Sequence, residues 1–482
     1  MDPLDLSVSD LCSLYGRHKL SPKEVLRLLR ERLDAQEARL HAYLYINEDL
    51  ETQAEEAESR IMAGNGRPLE GVFLSLKDNL CTRDQPTTCA SKALAQYRSP
   101  YDATVITRLK EAGALIVGKT NLDEFAIGSS TETSAFGPTR NPLDERYVPG
   151  GSSGGAAASV AARLAFGALG SDTGGSLRQP ASFCGVVGMK PTWGRVSRYG
   201  LVGLASSLDQ VGPMARNVED CAILLSTIAG KDPMDSTSSE EPVPDYLSFL
   251  SDRSFLKDLK IGIPVEWMDR NLDSAVTRAF QETLSLFKSS GARISHIKFP
   301  HSAHSFHAYY IIMTAEASTS LARFDGIRYG FRTQTYQDIS DLYYGTRSES
   351  FGSEIKKRIV LGTYILSSGQ YETYYQKAMD VRAAVREDFR KAFESVDIIL
   401  SPTTAELPFK FGEKSKDPLN MALSDIFTVH ANLAGIPAIS VPGTPSDEGL
   451  PTGIQYMAPS FCEKTLFQCA HFFHTTLSKE RT

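Results

Sequence analysis

Two serine motifs flanked by glycine lie close together in this sequence and raise the question of what chemistry they serve. Residues 150–155 read GGSSGG, and residues 171–176 read SDTGGS. Glycine loses more backbone freedom on folding than any other residue, so segments this rich in it indicate unusual dihedrals or a close approach to a ligand. A serine in such a segment is a candidate nucleophile if a base lies beside it.

The base for these serines cannot be a neighbouring histidine, because no histidine occurs between His41 and His296. The candidates in the same part of the chain are Lys77 and Asp172. Lysine activates serine in known enzymes, but it must be neutral, which requires burial or nearby positive charge. The apolar run at 72–76 favours Lys77, because it predicts that the lysine is buried.

With Lys77 as the base, the second motif fits a nucleophile at Ser176. The three residues before this serine are then candidates for an oxyanion hole built from backbone N–H groups. These oxyanion-hole candidates are Thr173, Gly174 and Gly175. Ser152 would lie between Lys77 and Ser176 and pass the proton from one to the other. The alternative interpretation of the segment is a glycine-rich connector with serines that cap helices.

Other motifs in the chain fit their surroundings poorly. Residues 113–120, GALIVGKT, match a phosphate-binding loop, but the four apolar residues at their centre favour a strand. Residues 150–154 match the nucleophile elbow of α/β-hydrolases, which needs an apolar strand before it. Histidines do occur downstream, so that alternative stays open. Three further histidines have helical spacing but no accompanying carboxylate pattern, so we predict no metal site: His301, His304 and His307.

Composition limits the classes of protein to consider. The chain has 482 residues, 41% hydrophobic and 23% charged, as in ordinary globular proteins. Seven cysteines without CxxC spacing, and an acidic N-terminus unlike a targeting peptide, indicate a cytoplasmic protein. The small-apolar run at 156–169 is interrupted by Arg163 and too short to span a bilayer, so no membrane association is expected. A net charge of −7 disfavours unaided binding of nucleic acid.

Alternating strand and helix patterns predict an α/β fold. A capping box at 21–24 begins a helix, a second helical pattern covers about 48–63, and 71–80 and 396–402 are predicted buried strands. We predict a helical N-terminal extension over residues 1–65. A catalytic domain is predicted over 66–482, with a helical insertion at about 300–395.

With these motifs in place, the chain resembles the amidase signature family. The resemblance is carried by GGSSGG and by SDTGGSLRQPASFCGVVGMKPTWGRVS, which begins at Ser171. It implies that family's fold, a central mixed β-sheet covered by helices on both faces. It also implies that family's catalytic set, which maps onto Lys77, Ser152 and Ser176, with a cis peptide bond before Ser152.

Longer stretches narrow the resemblance to the amidase-type subunits of tRNA-dependent amidotransferases. These stretches include 322–330, 348–378 and 425–443. In that branch of the family the substrate is glutamine. The resemblance implies that Arg358 binds its carboxylate, that Asp425 binds its ammonium group and that Tyr309 packs beside them.

The same resemblance implies a set of partners. This chain would supply ammonia, through a tunnel, for converting misacylated Glu-tRNA(Gln), Asp-tRNA(Asn) or both. It would form a heterotrimer with two other amidotransferase chains, the B and C subunits. The B subunit would use ATP and Mg and make most contact with the charged tRNA, and the C subunit would be small. This chain would need no cofactor of its own.

Two other functions stay open from the sequence. One is a stand-alone amidase that acts on small amides without partners. The other is a non-catalytic scaffold protein, against which the intact Lys77, Ser152 and Ser176 argue.

Overall fold

The centre of the molecule is a mixed β-sheet. A computed structural model describes residues 2–268, 270–414 and 418–480. The strands are β1 (Tyr43–Ile46), β2 (Phe73–Lys77), β3 (Leu115–Thr120), β4 (Gly167–Asp172), β5 (Val187–Lys190), β6 (Gln210–Ala215), β7 (Lys260–Pro264), β8 (Arg293–Ile297), β9 (Ile398–Pro402), β10 (Ala438–Pro442) and β11 (Gly453–Met457). Their order in the sheet is β1-β3-β2-β4-β6-β5-β10-β11-β9-β7-β8.

The sheet contains two groups of parallel strands, and its other neighbouring strands are antiparallel. Strand β2 runs parallel to both β3 and β4, and β7 runs parallel to both β8 and β9, whereas the other neighbours are antiparallel. Every residue of β2, β3, β4 and β6 is buried. Because side chains alternate between the two faces of a sheet, both faces are covered here. The predicted α/β fold with a covered mixed sheet is confirmed.

Helices supply that cover. They are α1 (Val8–Gly16), α2 (Pro22–Leu40), α3 (Leu50–Met62), α4 (Thr104–Glu111), α5 (Gly154–Ala161), α6 (Arg178–Cys184), α7 (Val218–Ile228), α8 (Val265–Met268), α9 (Ser274–Ser289), α10 (Ser302–Ser320), α11 (Ile339–Ser350), α12 (Ser353–Ile365), α13 (Lys377–Ala392), α14 (Pro418–Leu423), α15 (Val429–Ala434) and α16 (Glu463–Glu480), with a π-helix at Tyr371–Gln376. None of these helices, within the part of the chain that the structure describes, is long and apolar enough to cross a membrane.

The N-terminal residues contain the predicted helices and one strand besides. The capping box is confirmed, since Ser21 Oγ accepts the Glu24 N–H and Glu24 Oε2 accepts the Ser21 N–H. Strand β1 follows and extends the sheet beyond β3. The Tyr43 hydroxyl anchors it at 2.5 Å from Ser75 Oγ on β2. The predicted helical extension therefore also contributes an edge strand, and its boundary at residue 65 stays a prediction.

The segment that resembles a phosphate-binding loop is part of the sheet. Its residues Leu115–Thr120 form β3, as their apolar character predicted. The lysine of the motif, Lys119, has its Nζ 3.0 Å from Asp78 Oδ1, and both side chains are fully buried. Lys119 is therefore used in an internal ion pair.

The sheet and the helical layer bring the predicted site residues to one edge. Lys77 is the last residue of β2 and Asp172 the last of the parallel strand β4, so both lie where those strands end. Ligands bind at this end of strands in many α/β proteins. Helix α10 carries Tyr309, and α12, which packs against α10, carries Arg358.

Candidate active site

Lys77 lies fully buried at the centre of the site. Its Nζ donates to Ser152 Oγ at 2.8 Å and to Ser171 Oγ at 3.0 Å. Burial lowers the pKa of Lys77 to about 7, although the carboxylates of Asp123 and Asp172 oppose that shift. A lysine with such a pKa is partly neutral near pH 7, as a base requires.

Ser152 lies in the loop that precedes α5. The Gly151–Ser152 peptide bond is cis, as the family resemblance implied. A Cβ atom at Gly151 would lie only 2.1 Å from Asp123 Oδ2, so no larger residue fits at that position. The glycines of this motif therefore allow the chain to pass close to a buried carboxylate just before the serine.

Ser176 lies in the turn between β4 and α6, where it is buried and borders a cavity. Within the described residues, the backbone N–H groups of 173–176 donate no hydrogen bond. Thr428 Oγ1 donates to the Gly174 carbonyl at 2.6 Å, which fixes the turn. N–H groups without an internal acceptor are available as donors, so the oxyanion hole at 173–175 stays a prediction.

Two glycines of this turn are in tight contact with other parts of the site. A Cβ at Gly174 would lie 2.3 Å from the Tyr309 hydroxyl. A Cβ at Gly175 would lie 2.2 Å from Thr428 Oγ1, and this glycine has a φ of +150°. A side chain at Gly174 would displace the Tyr309 ring, and at Gly175 both the contact and the φ disfavour any L residue.

The predicted proton relay is only half formed in this structure. Lys77 and Ser152 are hydrogen-bonded, but the residues that the structure describes include no hydrogen bond between Ser152 Oγ and Ser176 Oγ. The two segments meet instead through the Ser153 N–H, which lies 3.3 Å from the Ser176 carbonyl oxygen. Catalytic hydrogen bonds often tighten only when substrate binds.

Asp172, the other candidate base, is part of an internal ion pair. Its two carboxylate oxygens accept hydrogen bonds from Arg178 Nε at 3.0 Å and Nη2 at 2.9 Å, and both side chains are fully buried. Burial alone would raise the pKa of Asp172, but the Arg178 guanidinium brings it below its ordinary value. A carboxylate held in this way is a poor proton acceptor.

The Asp172–Arg178 pair predicts a large effect on stability. Asp172→Asn leaves the buried guanidinium without its charged partner, so we expect the free energy of unfolding to fall by about 3–5 kcal/mol. Asp144→Asn is the matched control, because Asp144 pairs with the exposed Arg146. That variant should leave the free energy of unfolding nearly unchanged, because exposed ion pairs contribute little to stability. Urea unfolding measures both, and equal losses in the two variants would contradict the structural role of the pair.

The implied substrate-binding residues and the predicted nucleophile border one cavity. Ser176, Tyr309, Arg358 and Asp425 all line it. Its volume is about 220 Å³. Pockets for drug-sized ligands run from about 300 Å³ upward, so this cavity suits a small substrate.

Asp425 offers a negative charge at this cavity. Its Oδ2 accepts a hydrogen bond from Ser129 Oγ at 2.7 Å, whereas its buried Oδ1 has no hydrogen-bond partner among the described residues. Burial raises the pKa of Asp425 to about 7, and the Ser129 hydrogen bond opposes that shift. A bound ammonium group would supply the missing partner and favour the ionised carboxylate.

Arg358 offers a positive charge, but it is not isolated. Its Nε and Nη2 lie 2.8 and 2.7 Å from Glu354 Oε1, one turn earlier in α12. Its guanidinium carbon lies 4.2 Å from the centre of the Tyr310 ring. Arginine has five N–H donors, so some remain for a second carboxylate beside Glu354. Tyr309 lies on α10, and burial raises its pKa well above the ordinary value.

Several residues of the site were not predicted from the sequence. Ser171 belongs to the SDTGGS motif, but its contacts with Lys77 Nζ and with Asn79 Nδ2 were not foreseen. Glu354 lies within the predicted helical insertion, but the sequence analysis assigned it no role. The i,i+4 spacing of Glu354 and Arg358 was the available signal for their pairing.

The three histidines with helical spacing lie apart from this site. His301 Nδ1 lies 3.0 Å from the Asp388 carboxylate. The described ranges contain no group of three histidine, cysteine or acidic side chains that could hold a metal ion.

Comparison with known proteins places this chain in a family. The family model described as Amidase matches residues 24–467. A Geobacter metallireducens protein, named as the A subunit of glutamyl-tRNA(Gln) amidotransferase, is 50% identical over 474 residues, which cover 98% of this chain and 97% of that protein. The protein of the same name from Carboxydothermus hydrogenoformans is 52% identical over 470 residues, which cover 97% of this chain and 96% of that protein.

Solved structures share the whole fold. The crystal structure of the A subunit of glutamyl-tRNA(Gln) amidotransferase from Thermotoga maritima matches with a TM-score of 0.80 and 40% identity, over 98% of this chain and 94% of that one. A peptide amidase in complex with the competitive inhibitor chymostatin matches with a TM-score of 0.82 and 28% identity, over 98% and 97% of the two chains.

Proposed function

The chain belongs to the amidase family, and on that premise we propose that it is the glutamine-hydrolysing subunit of a tRNA-dependent amidotransferase. The observation that carries the proposal is the buried Lys77 Nζ, 2.8 Å from Ser152 Oγ, behind a cavity lined by Ser176. Relatives named as the A subunit of glutamyl-tRNA(Gln) amidotransferase, half identical over nearly the full length, support the assignment to an amidotransferase.

The proposed reaction is an acyl transfer through Ser176. Its Oγ attacks the carbon of the glutamine side-chain amide, while its proton passes through Ser152 to neutral Lys77. The N–H groups of 173–175 stabilise the oxyanion that forms. The relay then returns the proton to the leaving nitrogen, and ammonia departs. Water hydrolyses the glutamyl ester on Ser176, which releases glutamate and frees the serine.

Two opposite charges at the cavity match a free amino acid. In the proposed complex the α-ammonium group lies at Asp425 Oδ1, and the α-carboxylate takes N–H donors of Arg358 that Glu354 leaves free. Tyr309 packs against the turn at Gly174 and borders the same cavity. A zwitterion with a short amide side chain satisfies both charged groups at once, whereas a simple aliphatic amide satisfies neither.

Replacement of Arg358 tests this substrate placement. Arg358→Ala removes a charge-assisted hydrogen bond worth about 1.5–3 kcal/mol, so we expect KM for glutamine to rise about 10- to 100-fold, with a smaller change in kcat. Arg358→Lys keeps the charge but not the planar arrangement of donors. Its KM should lie between the KM of the wild type and that of Arg358→Ala. Steady-state ammonia release measures these constants. An unchanged KM in Arg358→Ala would place this residue outside the substrate site.

We further propose the partners that the narrower resemblance implies. Free ammonia would become protonated in water and diffuse away. A chain that produces ammonia for another reaction is therefore expected to bind the enzyme that uses it. The proposed assembly is a cytoplasmic heterotrimer with the B and C subunits of the amidotransferase. The B subunit uses ATP and Mg and binds most of the charged tRNA, either Glu-tRNA(Gln), Asp-tRNA(Asn) or both. The lysine–serine chemistry of this chain requires no cofactor.

The alternative is a stand-alone amidase, and its supporting observation is the structural similarity to a peptide amidase. Identity to that enzyme is 28%, compared with 40% to the amidotransferase component of known structure. Ammonia release from glutamine and from short aliphatic amides separates the two functions. A preference for glutamine supports the amidotransferase function, and broad turnover of simple amides supports the alternative.

A further inference from the structure

Gln179 lies where three segments of the site meet. We propose that its side-chain amide is a positioning group that couples Asp425 to the relay serine Ser152, a role that rests on the function proposed above. Through this coupling, recognition of the substrate ammonium group would help to set the geometry of the relay.

The Gln179 side chain is fully buried near the start of α6. Its Oε1 accepts the Gly151 N–H at 2.8 Å, and its Nε2 donates to the Ser129 carbonyl at 3.1 Å. A backbone N–H only donates and a carbonyl oxygen only accepts, so the two partners fix the orientation of the amide. Gln179 therefore joins two loops that lie on opposite sides of its amide.

Each of those loops leads directly to a group in the proposed reaction. On one side, Gly151 forms the cis peptide bond with Ser152, whose Oγ accepts from Lys77 Nζ. On the other side, Ser129 Oγ donates to Asp425 Oδ2 at 2.7 Å. The contacts are thus continuous from the ammonium-binding carboxylate to the base.

The nucleophile is tied to the same residue, through the backbone N–H of Gln179 and not through its side chain. The Gln179 N–H donates to the Gly175 carbonyl at 2.8 Å, one residue before Ser176. Buried hydrogen-bond networks of this kind act as units, because a change at one member alters the others. When a substrate ammonium group binds Asp425, these hydrogen bonds would fix the positions of the loops that contain Ser129 and Ser152 relative to Ser176.

The test compares glutamine with 4-carbamoylbutanoate, which is glutamine without its α-amino group. The wild-type ratio of kcat/KM for the two amides measures how strongly the ammonium group promotes turnover. Gln179→Met should reduce that ratio about tenfold, because the side chain keeps its length but loses both hydrogen bonds. Ser129→Ala should reduce the ratio similarly, and the double variant should reduce it no further, since coupled residues are not additive.

A purely structural role for Gln179 gives a different result, because loss of folded protein lowers kcat/KM for both amides equally. Gln455→Met is the matched control, since Gln455 is also fully buried but hydrogen-bonds to Arg178, Ser401 and the Phe427 carbonyl. Its ratio should equal that of the wild type. An unchanged ratio in Gln179→Met overturns the proposal, and Ser129→Ala decides the matter if Gln179→Met does not fold.

The same assays distinguish failure of this proposal from failure of the proposed function. If Ser176→Ala retains glutamine hydrolysis, the proposed function and the role of Gln179 fall together. If that hydrolysis depends on Ser176 but the glutamine preference survives in Gln179→Met and Ser129→Ala, only the role of Gln179 is overturned.

Discussion

Ser176→Ala is expected to abolish glutamine-dependent amidation in the assembled enzyme while leaving ammonia-dependent amidation intact. Removal of a catalytic nucleophile lowers kcat by a factor on the order of 10⁴ or more. Added ammonia bypasses the serine, because the amidation step belongs to a partner chain in the proposed assembly. The measurement is formation of amidated tRNA with glutamine and with an ammonium salt as alternative nitrogen donors.

Ser182→Ala is the matched control for this variant. Ser182 lies in α6, is buried, and its hydroxyl has no hydrogen-bond partner in the ranges that the structure describes. Its removal should leave both nitrogen donors effective. Loss of both activities in Ser176→Ala would indicate damage to the assembly, and persistence of glutamine-dependent activity would show that Ser176 is not the nucleophile.

Replacement of Lys77 has the second large expected effect. Lys77→Met keeps the length and the burial of the side chain but removes the base that lies 2.8 Å from Ser152 Oγ. A serine hydroxyl at its ordinary pKa is a weak nucleophile. We expect acylation of Ser176 to slow by about 10²- to 10⁴-fold, the usual contribution of a general base. Single-turnover measurements of the acyl-enzyme report this step, and near-normal acylation would exclude Lys77 as the base.

The pH dependence of acylation follows from the same lysine. Burial lowers the pKa of Lys77 to about 7, and only the neutral amine accepts a proton. Acylation should therefore rise with pH, about tenfold per unit well below that pKa, and level off above it. A rate that is flat or falling between about pH 6 and pH 8 would contradict the assignment.

Lys190 supplies the control for this pH profile. Burial also lowers its pKa to about 7, but its Nζ donates to the Pro191 carbonyl at 2.9 Å. Lys190→Met should keep the inflection of the wild-type profile, because the base at Lys77 is still present. Loss of the inflection in Lys190→Met would mean that the pH profile reports the protonation of Lys190 and not that of the base.

The residues at the centre of the site could be predicted because each lies in a short sequence pattern that indicates its role. Lys77 ends an apolar run, so its burial followed from the strand pattern. The absence of a nearby histidine limited the candidates for the base to Lys77 and Asp172. The spacing of the glycines indicated where a substrate carbonyl could approach the serine. The sequence motif also implied the cis peptide bond at Ser152 through the family resemblance.

The surroundings of the site depend on contacts that no local pattern contains. Ser129 and Asp425 are 296 residues apart in the chain, yet their side chains are hydrogen-bonded. Gln179 stands next to Arg178 inside the signature, but its two partners come from different loops. Strand β1 was missed for the same reason, because its four residues form a strand only by pairing with β3.

The most direct test of the proposed function is ammonia release from glutamine by the purified chain. It is measured first for the chain alone and then with the B and C subunits of the amidotransferase, ATP, Mg and charged tRNA. We predict slow release by the chain alone and a strong increase in the complete mixture, abolished in both cases by Ser176→Ala. Equal release with and without partners, with comparable release from simple amides, would contradict the amidotransferase function and identify a stand-alone amidase.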